Sequence, residues 1–463
     1  MLKSDFRRTL MAKSYDAIVI GAGHNGLICA AYLAKAGRKV LVLERRDIIG
    51  GATATEEVWP GYKVSTASYV MSMMQKKVIR ELELPKYGWE MLPMDCLFVP
   101  FEDGRSLAMW GDIKKTQEEV AKFSKKDAEM YPIFEHFLDD AAKLVRELLF
   151  LTPPDITKRG WRDIKRMIQH ANAFRKVGNK VFRIADLMTM SVAEFLDMYF
   201  ASDQIKAVKA YYGSIGTFLA PRSPGTAYVL LHHLMGDLGG AGGWGYMRGG
   251  MGAVPMSIAG CAKAHGCEVR TSAEVAQVLV ENGRAKGVAL QSGEEIFAPI
   301  VVTGADPKTT FLKLVDTKQL PDDFVEEIRN FRTFSSAFKI NMAVDTPPTY
   351  TAFDAQKLGI DYPSYVHIGP TMEYLERAYD DAKYGRPSKR PFFTPCVPTV
   401  VDPDLAPPDK HIVNIFGGHA PYELKGTTWD VEREKVFGNV LQEFERYAPG
   451  VSKTVIDRQI LMP

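Results

Sequence analysis

Of the 463 residues only five are cysteine (Cys29, Cys96, Cys261, Cys267 and Cys396), and no two stand at C-x-x-C spacing. That scarcity argues against a disulfide framework, a thiolate zinc site and a dithiol redox centre, and leaves free thiols in a reducing compartment. Uninterrupted apolar runs of about 18 residues, the length a spanning helix needs, are also missing. Charge of one sign is lacking too: 58 Lys and Arg face 56 Asp and Glu, a formal +2. So even a balance offers no electrostatic footprint for nucleic acid. His232 and His233 are adjacent and so point in different directions on a helix, unlike an i, i+4 metal pair. No metal is expected, and at most one of the two histidines can face a pocket as an acid or base. Repeats and low-complexity segments are absent as well.

The first sixteen residues carry Arg7 and Arg8 but lack the apolar core of a secretory signal. A cytoplasmic location is expected. A very short mitochondrial presequence, and with it a matrix location, is the alternative, against which stand Asp5 and the brevity of the segment.

What the chain does have is size, an apolar fraction of 46% to fill two cores, and one highly informative stretch, Asp16 to Thr53. Ala17 to Ile20 is a short apolar run without alternation, as in a parallel strand buried on both faces. Gly21, Gly23 and Gly26 follow as G-x-G-x-x-G and open a segment, Asn25 to Lys35, with helical apolar spacing. Gly37 ends that helix, and Lys39 to Leu43 reads as a second buried strand finished by Glu44. A βαβ unit of about 30 residues with an acid about 20 residues beyond the glycines is the setting in which this pattern binds a dinucleotide. The first glycine allows the turn, the second admits a diphosphate close to backbone N–H groups, and the third lets helix and strand pack tightly. The helix N-terminus favours phosphate, and the Glu44 carboxylate can accept from a ribose. Just beyond, Arg45-Arg46 and Gly50-Gly51-Ala52-Thr53 form a second signature that favours flavin over nicotinamide: two arginines supply planar donors, and a glycine pair lets a loop pass close under a cofactor.

From Thr66 to about Gly240 the pattern turns helical, with segments at Lys76 to Leu84, Thr116 to Phe150, Trp161 to Val177 and Ser191 to Phe200. Trp161 to Lys180 is rich in Arg and Lys with Ile164, Met167, Ile168 and Phe174 among them. This pattern fits a solvated helix of a second domain, and it also fits a helix lying on a membrane surface that admits a lipid-soluble substrate. Pro221 to Gly240 begins as a turn and continues as an apolar helix. Gly240 to Gly245 repeats G-x-G-x-x-G to the letter, but it follows a helix and runs on into more glycine loop, so a second dinucleotide fold is not supported. A helix from Ala253 to His265, hairpin strands at Val275 to Val280 and Ala285 to Leu290, and a buried strand from Ile296 to Thr303 then restore α/β character. The expected organisation is a discontinuous dinucleotide domain at 1–70 and 244–320, with a largely helical insertion at 71–243 and a second part of the substrate domain at 321–463.

The suite of Gly21 to Leu27, Glu44-Arg45-Arg46, Gly50-Gly51-Ala52, Gly249-Gly250-Met251-Gly252-Ala253 and Gly304-Ala305-Asp306-Pro307 resembles the phytoene dehydrogenase-related FAD oxidoreductases, over essentially the whole chain. The resemblance implies an α/β architecture: a Rossmann-like FAD-binding domain with an inserted mixed α+β substrate domain, like the amine oxidases and carotenoid desaturases, with FAD held non-covalently. It places Gly21, Gly23 and Gly26 at the diphosphate and Glu44 at the adenosine ribose. Arg46, Gly50, Gly51, Ala52 and Thr53 go to the remaining phosphate and flavin contacts, and Val275 presents its backbone to the adenine. Ala52 stands where many desaturases carry arginine, so their substrate geometry does not transfer. Relatives continue past the position of Pro463 into a glycine-rich segment that completes the FAD domain, so FAD binding by the stretch in hand is expected to be weak.

The activity implied is hydride transfer between flavin and an apolar organic substrate. Trp244, Tyr246 and Arg248 are candidates for the pocket beside the ring, although they could equally close a domain joint. The alternatives are a polyene isomerase that uses reduced FAD without net electron transfer, and a regulatory or scaffold protein of mitochondrial function with weakened flavin chemistry.

Overall fold

The computed structural model describes residues 15–463 except 159, 237 and 239–242. The expected leader and the first half of the glycine run at 240–245 therefore lie outside the described residues. Four strands, β1 (Ala17–Ile20), β2 (Val40–Leu43), β3 (Glu268–Arg270) and β4 (Ile300–Thr303), form a parallel sheet in the order β4-β1-β2-β3. Every residue of β1 and β2 is buried, which accounts for runs without alternation. Helix α1 (His24–Lys35) packs Leu27, Ala30 and Ala31 against Val254, Ile258 and Ala262 of the helix Ala253–Ala264. Strands at 17–43 thus share one sheet with those at 268–270 and 300–303, although a long insertion separates them in the chain.

The second sheet is antiparallel. Strands β5 (Ala337–Val344), β6 (Phe392–Cys396), β7 (His411–Gly418) and β8 (Val455–Leu461) stand in the order β6-β7-β5-β8. β6 stands at one end of this order, and its outer side makes isolated bridges to Tyr365 and Ile368, where Pro395 takes part as an acceptor, its carbonyl bonded by the Val366 N–H (3.1 Å). One face of this sheet, with Ile340, Met342, Ile415 and Phe393, packs on Val440 and Phe444 of the helix Trp429–Glu445.

Several expected elements divide. Ile296 to Thr303 is two strands, Glu295–Phe297 in a hairpin sheet and β4 in the parallel sheet, because Pro299 lacks the N–H that a continuous ladder would use. Thr116 to Phe150 is two helices, Ile113–Ala121 and α2 (Lys125–Leu149), parted where Ser124 caps the second. The largely helical insertion also holds the hairpin Cys96–Pro100 with Ser106–Trp110, whose first strand is buried on both faces and shows no alternation.

α2 is tied to its surroundings by Asp127, whose buried carboxylate accepts from the Ala201 N–H (2.9 Å), the Ser202 N–H (2.7 Å) and the Ser202 hydroxyl. Burial alone would raise its pKa, yet these donors hold it below the ordinary value. A depressed carboxyl stabilises the fold above its unfolded pKa and loses that contribution as pH falls through the folded one. Asp127→Ala is expected to cost about 3 kcal/mol at neutral pH and much less near pH 3, read as a pH-dependent gap between the two melting curves.

Candidate functional site

Three loops meet at the C-terminal edge of the parallel sheet, beside β1, where the strand order reverses direction. Ligands bind open α/β sheets at such a point. Gly21 leaves β1 at φ 92°, a conformation that favours glycine, and its N–H bonds the Leu43 carbonyl (2.8 Å). Gly304, after β4, bonds the Ile20 carbonyl (2.8 Å). The loop after β2 returns so that the Gly50 N–H bonds the Ala22 carbonyl (2.9 Å), with Gly50 at φ 127° and Gly51 at φ 55°. A Cβ on Gly26 would overlap the Gly21 carbonyl oxygen, whereas a Cβ on Gly23 would meet nothing within 4 Å. The third glycine is therefore demanded by the fold, and the second borders open space.

That space is lined as an anion site. α1 begins with no side-chain cap and no acid in its first turn, which leaves the positive end of its dipole unanswered. His24, in that turn, has a buried Nδ1 with no partner, and burial pushes its pKa down. The Glu44 carboxylate is buried at the tip of β2, where Oε2 accepts from the Ala22 N–H (2.8 Å) and Oε1 from the Arg46 N–H (3.0 Å). Each oxygen keeps a lone pair for a hydroxyl donor. Val275 opens a strand two residues beyond Ala273, whose N–H bonds the Glu44 carbonyl (2.8 Å). Thr53 is buried, with its hydroxyl on the Gly50 carbonyl (2.8 Å). The Arg46 guanidinium pairs with Glu56 at 2.5 Å, on a hairpin the sequence pattern did not reveal.

From this loop, hydrogen bonds lead to the second sheet. The Ser68 N–H bonds the Ala52 carbonyl (2.8 Å), and the Asn341 amide bonds the Thr66 carbonyl (3.1 Å). The face of the sheet turned away from the Trp429–Glu445 helix carries the buried polar side chains of Lys339, Asn341, Thr394 and Asn414. Register places Cys396, Asn414, Asn341 and Gln459 in one row across the four strands, and Thr394, Phe416, Lys339 and Leu461 in the next. Asn414 donates to Asn341 (2.9 Å), and Asn341 to Gln459 (2.8 Å).

Lys339 is the exceptional group in that face. It is buried, its ammonium donates to the Asn341 side chain and lies over the Tyr69 ring (5.3 Å to the centroid), and no carboxylate pairs with it among the described residues. Desolvation brings its pKa to about 7. Aromatic groups wall this region. Tyr69 stacks on Phe416 (5.7 Å), Tyr211 bonds Thr394 (2.7 Å) and stacks on His367 (3.9 Å), and Tyr246 bonds the Ser364 carbonyl (2.6 Å). Burial drives His367 down to about 3 and His233 to about 4, so both are neutral donors or acceptors.

The structure brings Trp244 and Tyr246 into this aromatic wall, with Trp244 stacked on Tyr365 (6.0 Å) and on His233 (6.2 Å). Arg248 is half-exposed and paired with Glu90 (2.7 Å). Of the adjacent histidines only His233 joins the wall. Lys339, Asn341, Asn414 and Tyr69 were missed by sequence reasoning. For Lys339 and Asn341 the signal was a pair of polar residues at period two within an apolar strand, which reads equally as an ordinary half-exposed strand.

A G-x-G-x-x-G turn at the end of a parallel sheet strand, joined by hydrogen bonds to a second, antiparallel sheet, is the setting of a dinucleotide-binding fold. The chain belongs to the flavin containing amine oxidoreductase family, whose profile matches residues 26–414. It is 39% identical to pyridine nucleotide-disulfide oxidoreductase domain-containing protein 2 of Rattus norvegicus, over 97% of this chain and 81% of that protein. It is 25% identical to the chloroplastic prolycopene isomerase of Daucus carota, over 98% of this chain and 70% of the relative. Among solved structures, an oxidoreductase from Methanosarcina mazei shares the fold at a TM-score of 0.62 and 18% identity, over 96% of this chain and 88% of that one.

Proposed function

We propose that the protein is an FAD-dependent oxidoreductase that moves a hydride between the flavin and an apolar organic substrate. The observation that carries this reading is the buried, carboxylate-free Lys339 on a polar sheet face tied through Thr66 and Ser68 to the Gly50–Thr53 loop. FAD, when bound, supplies the hydride acceptor or donor. The glycine turn and the α1 N-terminus would hold its diphosphate, Glu44 would accept from its ribose hydroxyls, and the glycines of the Gly50–Gly51 loop would let it approach closely.

Lys339 changes protonation close to neutral pH and so can hold or release a proton at Nζ beside the substrate. Asn341, Asn414 and Gln459 fix its orientation, while Tyr69, Phe416, Tyr211 and Tyr246 offer an apolar, water-excluding wall. An aromatic wall suits an unsaturated hydrocarbon, and prolycopene, named in the carrot relative, is one. The same relative favours a second reading, isomerisation without net electron transfer. Mixing the FAD-loaded protein anaerobically, first with its flavin oxidised and then with it photoreduced, with a panel of polyenes and primary amines separates the cases. Bleaching of the flavin by a polyene and by no amine is the expected result. Bleaching by amines alone contradicts the apolar substrate, and isomerised polyene of unchanged mass without bleaching supports the second reading.

A further inference from the structure

Exposed apolar side chains are not spread evenly over this protein. Ten of the 21 large ones exposed among the described residues fall between 149 and 198, and Ile156 (82% exposed), Trp161 (76%) and Phe182 (72%) are the most prominent. Two helices carry most of them, α3 (Trp161–Val177) and α4 (Lys180–Thr189), joined at Gly178, whose φ of 56° suits a glycine hinge. On α3 the pairs Trp161 and Ile168, Met167 and Phe174 repeat every seven residues, two helical turns, and stay exposed, while Asp163 and Ala173 are buried. On α4, Ile184 and Leu187 are buried and Phe182 faces solvent.

Cations share this surface. Lys176 and Lys180 are paired with Glu147 and Asp140 of α2. Arg162, Lys165 and Arg175 have no acidic partner among the described residues. Among the described residues no helix is long and apolar enough to cross a membrane. What remains is an amphipathic pair with protruding apolar tips and unanswered positive charge, the pattern of helices that lie in the plane of a bilayer interface. A second copy seated patch to patch would set these cations against their own kind, whereas phosphate headgroups would neutralise them.

We propose that α3 and α4 dock the protein on the surface of an anionic phospholipid bilayer. Trp161, Ile168 and Phe182 enter the boundary between headgroups and acyl chains, and Arg162, Lys165 and Arg175 meet the lipid phosphates. The surface shares no residue with the dinucleotide cradle or the Lys339 face, so this inference stands apart from the flavin reading.

Co-sedimentation of the full chain with vesicles tests it, using phosphatidylcholine alone and phosphatidylcholine with about one-third phosphatidylglycerol. Partition onto the anionic vesicles is expected to exceed that onto neutral ones by about tenfold or more, and to fall about tenfold both in the triple variant Trp161→Ser, Ile168→Ser, Phe182→Ser and in Arg162→Glu, Lys165→Glu, Arg175→Glu. These side chains are exposed, so both variants should melt with wild type, and the melt is recorded alongside. Failure of wild type to sediment with either vesicle overturns the proposal. So does retained anionic binding in the serine variant, which would be adsorption by charge alone. Self-association that the serine variant abolishes, without vesicle binding, overturns it in favour of a second copy as the occupant.

Discussion

Gly26→Ala is expected to destroy the dinucleotide cradle, and Gly23→Ala to empty it while leaving the fold intact. The added methyl at Gly26 would overlap the Gly21 carbonyl oxygen and press on the Val19 side chain, both held by the β1 ladder and by burial. Neither is the free end of a flexible side chain, so α1 must lift from the sheet. Overpacking of this kind costs about 3 kcal/mol, and displacement of the helix N-terminus removes the phosphate donors, so FAD affinity should fall by about a hundredfold or more. Gly23 differs in one respect that makes the pair informative. Its φ of −70° is open to any residue, and no protein atom lies within 4 Å of the position a Cβ would take. Alanine there should melt with wild type. If the open space belongs to a diphosphate, the same methyl should reduce FAD affinity by about tenfold or more. Thermal melts and FAD titrations of both variants read the two effects separately, and a Gly23→Ala protein that binds FAD like wild type would remove the diphosphate from this space.

The second large effect concerns Lys339. Lys339→Met keeps the stem length and apolar volume but deletes the amine. A buried lysine whose pKa falls from 10.5 to about 7 binds fewer protons than the unfolded chain between those values. Stability therefore rises with pH across that window, and the wild type is penalised most at and below pH 7. The shift corresponds to on the order of 5 kcal/mol, which methionine would not carry. Lys339→Met is thus expected to melt above wild type at pH 6 and to lose the wild-type rise toward pH 10. Loss of the group that holds the proton at the substrate should slow flavin reduction by about a hundredfold or more, and should abolish its inflection close to pH 7. A variant both more stable and nearly inactive would mark Lys339 as a functional group that the fold carries at a cost. Unchanged reduction with the same pH profile would reduce it to a packing residue.

The cradle was legible in the sequence because each of its demands is local. A buried βαβ unit shows as apolar runs around G-x-G-x-x-G, and Glu44 follows at the tip of β2 because the strand is only four residues long. Strand pairing across the insertion, between β1 and β4, was legible as a return to α/β pattern, though Pro299 moved the start of β4 four residues past the start expected at Ile296. The polar sheet face was not legible. Lys339 and Asn414 lie far apart in the chain, and only register brings their strands together. Alternation says that two faces differ, but it cannot say that the polar face will be covered by Tyr69, Tyr211 and Tyr246 rather than by water. The partners of Arg46 and Arg248 were not legible for a related reason. Sequence proximity to glycine loops did not reveal that Glu56 and Glu90 pair with them.

The central claim, that the Gly21 to Gly26 turn, Glu44 and the Gly50 to Thr53 loop together form an FAD site, is tested most directly by equilibrium titration of the purified chain with FAD and with FMN. FMN lacks the adenylate half, so it cannot use Glu44 or the far side of the glycine turn. Saturable one-to-one binding of FAD, with FMN weaker by about tenfold or more, is the result this account predicts. No saturable FAD binding, or FMN held as tightly as FAD, would contradict it.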